Sequence, residues 1–151
     1  MNQNDLLTIL KNNCLMQTEE QVVQFENALA ELAENPDEQY LSQYHLILND
    51  QCEHPEVMFG LIHFLESFEV EKQIKALIEV VPQLMITAPE WTRIIHDRIL
   101  NDESACQLYQ NLLHSINLET PHFIYHLLEE SVINKIESKE ELLSIKRVSS
   151  I

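Results

Sequence analysis

His122 and His126 stand four residues apart, the spacing at which two imidazoles on one helix face can reach a single metal ion, and Glu119 precedes His122 by three. A carboxylate-bridged two-metal bundle, however, requires a second Glu-x-x-His set and two further carboxylates. Pro121 suits the first helical position, which leaves Glu119 outside the helix. Capped or exposed histidines are the preferred reading, and a metal-dependent enzyme built on this pair is the third functional hypothesis. His96, Asp97 and Arg98 are catalytic residue types in consecutive positions. Neighbours on a helix point about 100° apart and cannot converge on one substrate atom. Arg93 and Asp97, spaced i, i+4, are sufficiently explained as a helix-surface ion pair.

Cys14, Cys52 and Cys106 are odd in number and never form a C-x-x-C pattern, so neither a disulfide framework nor a zinc site is signalled. Reduced thiols fit better. The single glycine, Gly60, excludes a Walker loop or dinucleotide fingerprint, because both bring backbone against phosphate through several glycines. Gly60 shares a helix face with Glu56, His63 and Ser67, where a close helix crossing is preferred over a ligand notch. No catalytic residue, metal or cofactor is assigned.

Charge carries more information. The chain has 25 acidic and 9 basic residues, a formal charge of -16, and a field of that strength repels its own compact state. From Asn12 to Glu71 there are 13 acids and no Lys or Arg, so the i, i+4 partners that normally offset helical carboxylates are missing. Direct contact with nucleic acid is disfavoured, since phosphate binding needs clustered Lys and Arg, and so is an anionic membrane. A basic protein partner is favoured. The candidate contact residues are Glu53, Glu56, Glu66, Glu69 and Glu71, with Asp102 and Glu103 as the next cluster. Trp91 joins them as a possible interface anchor, although packing is the commoner role of a tryptophan.

The elements that must position these groups are helices. Thr18 to Gln21 and Ser138 to Glu141 read as capping boxes, while Pro36, Pro55, Pro89 and Pro121 suit helix starts. Apolar residues keep helical spacing, as in Val22, Phe25, Leu29 and Leu32. Helices are predicted near 4–12, 18–34, 36–48, 55–68, 70–86, 89–100, 104–116, 120–134 and 138–148, with Pro82 kinking or splitting the fifth. Short connections favour antiparallel neighbours, and pairing successive helices gives hairpins that start at 18, 55, 89 and 120. The expected architecture is all-α, a single domain over 1–151 of stacked antiparallel helical hairpins, a HEAT-like or tetratricopeptide-like array of about eight to nine helices. An irregular bundle is the alternative. The start lacks a basic and apolar leader, and no apolar run approaches the roughly eighteen residues of a membrane span, so a cytoplasmic location is expected.

The segments EHPEVMFGLIHFLESF at 53–68 and APEWTRIIHDRILND at 88–102, with FENALAELA at 25–33, resemble the all-helical bacterial immunity protein 30 family. The likeness covers about residues 18–116 and rests mostly on apolar packing positions. It implies an immunity protein of a polymorphic-toxin or contact-dependent growth inhibition system, which binds and neutralises the toxic C-terminal domain of a cognate toxin. Such toxins are frequently nucleases, and a nuclease grips its substrate with a basic cleft that an acidic inhibitor could occupy. The resemblance supplies no catalytic motif. The runner-up function is an acidic helical-repeat adaptor between proteins, with no toxin involved.

Overall fold

The computed structural model describes the backbone of residues 1–116 and the side chains of residues 1–112. The predicted helices at 120–134 and 138–148, with Glu119, His122 and His126, lie outside the described residues. Within them, seven α-helices and one 3-10 turn are formed, and no strand. They are α1 (Gln3–Asn13), α2 (Glu19–Glu34), α3 (Leu41–His45), α4 (Pro55–Glu66), α5 (Val70–Thr87), α6 (Pro89–Asn101) and α7 (Glu103–Ile116). Two compact units are distinguished, Met1–His96 and a second beginning at Asp97.

Most helix starts follow from local hydrogen bonding. Thr18 caps α2 by accepting from the Gln21 amide at 3.2 Å. The return bond of the box reaches one residue further out than expected, from the Gln17 amide to Gln21 Oε1 at 2.7 Å. Asn2 caps α1 in the same manner, accepting from the Asp5 amide at 2.8 Å. Pro55 and Pro89 occupy the first positions of α4 and α6.

Two expectations are corrected. The single helix predicted at 36–48 is replaced by a 3-10 turn at Glu38–Tyr40 followed by the short α3. The reason is Asp37, whose carboxylate accepts from the Gln39 amide at 3.0 Å and starts a tight turn where proline had suggested a helix. Of the kink or split expected at Pro82, the split does not occur: α5 runs as one helix from Val70 to Thr87. Burial of Ile78, Val81 and Leu84 on either side of the proline outweighs one missing backbone bond.

In the first unit, α1 and α2 form an antiparallel hairpin with Leu6, Leu7 and Leu10 buried on α1 and Phe25, Ala28 and Leu32 buried on α2. Its open end is tied by Gln3, whose amide nitrogen donates to the Asn35 carbonyl at 2.9 Å while its oxygen accepts from the Tyr44 hydroxyl. The most extensive partner of α2 is thus the helix before it, whereas α3 packs on α5 and α4 packs on both α2 and α5. This differs from the predicted pairing of α2 with the helix after it, whereas α4 and α5, predicted as neighbours, are in contact. Tyr44 fills the joint between α3 and α4, edge-on to Phe64 with ring centroids 5.1 Å apart. In the second unit Asp102 caps α7, accepting from the Ala105 amide at 2.9 Å.

Beside Tyr44, His45 is 2% exposed and its Nδ1 lies 2.8 Å from the Leu41 carbonyl, a bond that a neutral imidazole can donate. Burial pushes its pKa down to about 4, partly opposed by that carbonyl. The unfolded chain takes up this proton below its ordinary value of 6.5, and the folded chain only near 4. The buried neutral form therefore contributes full stability above pH 6.5 and loses it as pH falls toward 4. In urea titrations, the stability difference between pH 7 and pH 5 should contain a His45 contribution on the order of 2 kcal/mol. That contribution should vanish in His45→Gln. Identical pH dependence in the two proteins would show that His45 is not held neutral by burial.

Candidate partner-binding surface

The acidic stretch divides into carboxylates that serve the fold and carboxylates left to solvent. Asp50 belongs to the first group. Its two oxygens accept from the backbone amides of Glu90 at 2.8 Å and Trp91 at 3.1 Å, so it caps α6 from forty residues away in sequence. Its own amide donates to the Thr87 carbonyl at 3.1 Å, and the Trp91 indole donates to the Asn49 carbonyl at 3.1 Å. Next to this clasp the Glu53 amide donates to the Leu15 carbonyl at 3.0 Å, which docks the loop before α4 on the loop after α1.

Other acids receive bases from beyond the base-free stretch. Lys72 pairs with Glu38, which holds its ammonium above the ordinary lysine range, and Lys75 pairs with Glu71 at 3.0 Å. The terminal amine of Met1 reaches Glu31 at 3.3 Å. Compensation absent along the sequence is thus partly restored in space, on the side where α5 begins. Likewise, the surface pair expected of Arg93 forms with Glu90, three residues earlier. Glu19, Glu20, Glu26, Glu34 and Glu53 are exposed and make no ion pair with Lys or Arg among the described residues.

The sequence-derived contact residues fall at four places. Glu53 and Glu56 come together where α4 begins, and Glu66 and Glu69 are exposed where it ends. Glu56 is held below the usual carboxylate range by its own backbone amide in the first turn and by His54, whose Nδ1 is 3.1 Å away. Glu71 is half-buried and paired. Asp102 and Glu103 sit in the second unit, where Asp102 is engaged as the α7 cap. Trp91 is 6% exposed and packs edge-on to Phe59 at 5.3 Å, so its ring is engaged internally.

A further surface feature lies between α2 and α4. There Glu26, Leu29, Ala30 and Ala33 face Glu56, Val57, Gly60, His63, Phe64 and Ser67 across an open groove of about 630 Å³. A Cβ at Gly60 would come 3.3 Å from Leu29 Cδ2, which bears out the close crossing expected of this glycine. Glu26, Ala30 and Ala33 are spaced to share one exposed helix face, a signal present in the sequence. It pointed to no partner until α4 was placed opposite.

Among the described residues no three His, Cys, Asp or Glu side chains gather as a metal-binding group. Burial raises the thiol pKa of both Cys14 and Cys52, the opposite of what activates a nucleophile.

Because Asp50 caps α6 with both oxygens, Asp50→Ala should destabilise the protein by about 2 kcal/mol, with Asp50→Asn losing less and exposed Glu53→Gln changing stability by under about 0.5 kcal/mol. Chemical denaturation of the three variants measures this. An Asp50→Ala protein as stable as the wild type would mean that the clasp is not a stabilising contact.

The family model described as Immunity protein 30 matches residues 12–109, a span that contains the clasp, the groove and the whole base-free stretch. No curated protein and no solved structure matches the chain. With about two thirds of its length matched, from the end of α1 to the middle of α7, the chain belongs to the immunity protein 30 family.

Proposed function

We infer that this chain is an immunity protein that binds the toxic C-terminal domain of a cognate bacterial toxin and neutralises it by occupation, without catalysis, in the cytoplasm. The observation that carries the reading is the family match over residues 12–109. The charge of -16 supports a basic partner, and a nuclease with a cationic cleft for its nucleic-acid substrate is the toxin class that such a field suits best. Among the described residues no helix is long and apolar enough to cross a membrane.

Exposed carboxylates around α4, from Glu53 and Glu56 to Glu66 and Glu69, accelerate encounter with the toxin in this reading. Glu71 is paired with Lys75 and contributes less, while Asp102 and Glu103 are a separate acidic cluster in the second unit. Shape then sets specificity, because long-range charge selects sign and little else.

The purified chain should capture the C-terminal domain of the toxin encoded immediately upstream, and its co-expression should protect cells from that domain. Failure in both assays would remove the immunity reading. For the captured complex, raising ionic strength from about 0.05 to 0.5 M should slow association at least roughly tenfold while changing dissociation much less. An association rate indifferent to salt would mean that the acidic field does not steer the encounter.

A further inference from the structure

The groove between α2 and α4 joins an apolar floor to walls of small side chains and to two carboxylates, with no Lys or Arg lining it. We propose that it receives one face of a cationic amphipathic helix of the toxin domain. Lys or Arg side chains of that helix meet Glu26 and Glu56, while its apolar side chains settle against Leu29, Val57 and Phe64. The inference rests on the immunity reading above and deepens it by giving the bound segment a surface and a chemistry.

Three observations select this occupant. The first is charge: Glu26 has no Lys or Arg ion pair among the described residues, and Glu56 is kept ionised by the first turn of α4 and by His54. An anionic segment here would place like charges together, whereas a Lys or Arg neutralises carboxylates already fixed on two helices. The second is the nature of the floor. An extended segment would lay unpaired N–H and C=O groups against Leu29, Val57 and Phe64, but a helix satisfies its own backbone.

The third is size. From Glu56 to Ser67 the wall formed by α4 runs about 16 Å, three helical turns, so a helix of about that length can lie along it. The groove is open to solvent along its length, so one face of that helix meets the groove and the other is left to the rest of the partner. Ala30 and Ala33 are exposed, so larger groups placed there fill the groove without entering the core.

The test measures the affinity of the full chain for the purified C-terminal domain of the toxin encoded immediately upstream. Ala33→Trp obstructs the groove and the double variant Glu26→Lys, Glu56→Lys reverses its charge. The double variant Asp5→Lys, Glu20→Lys, on exposed surface of α1 and α2 that does not line the groove, controls for the same change in net charge, and circular dichroism with urea midpoints verifies that each variant folds. Ala33→Trp and the groove double variant should each raise Kd at least about 100-fold, and the control double variant less than about threefold. Wild-type affinity in both groove variants overturns the inference and leaves the immunity reading standing. Weakening by Ala33→Trp alone overturns the cationic occupant, and weakening by charge reversal alone overturns insertion into the groove. A wild-type chain that neither binds that domain nor protects cells from it overturns the immunity reading and this inference together.

Discussion

The interaction on which the rest of the first unit depends is the acceptance of two α6 backbone amides by Asp50. A helix start leaves amides without intrahelical partners, and here the oxygens that satisfy two of them come from a loop forty residues earlier in the chain. With the Asp50 amide on Thr87 and the Trp91 indole on Asn49, that loop is fixed to the turn between α5 and α6. Its next residues are fixed in turn to the loop after α1, through Glu53 and Leu15. Pro55 then starts α4 from a point held on both sides, and the placement of Gly60 against Leu29 follows from where α4 begins.

A strongly acidic chain has to find ways to carry its charge in a compact state, and this one uses several. Asp37, Asp50 and Asp102 are spent on backbone amides, where a carboxylate is stabilising. Glu38 and Glu71 meet the lysines at the beginning of α5. Each exposed pair contributes little to stability, but their arrangement matters for the field. They neutralise the side of α3 and α5 and leave the uncompensated carboxylates of α2 and of the start of α4 to dominate elsewhere.

Helix type and most helix starts were legible because they depend on neighbours in sequence: Thr18, Pro55 and Pro89 each act within one turn. The family likeness was legible for the same reason, in runs of apolar positions. What could not be read was anything decided between distant segments. Asp37 looked like part of a helix until its side chain took the Gln39 amide, and Asp50 looked like one more surface acid until α6 was placed beside it. The partner of α2 is α1, a choice made by buried side chains on both and not by loop length. Trp91, a candidate contact residue, is engaged with Phe59 and Asn49, and the role of Glu26 depends on which helix lies opposite it.

Ala30 and Ala33 combine a position on the groove wall with exposure to solvent. A side chain that is outside the core has few packing partners to satisfy, so its identity is nearly independent of stability. Gly60 differs, because a Cβ there would press on Leu29 Cδ2 at 3.3 Å. The groove thus has a constrained floor and freely variable walls. Relatives facing different partners could diverge at the two alanines one substitution at a time, each step changing what fits and leaving the folded framework intact.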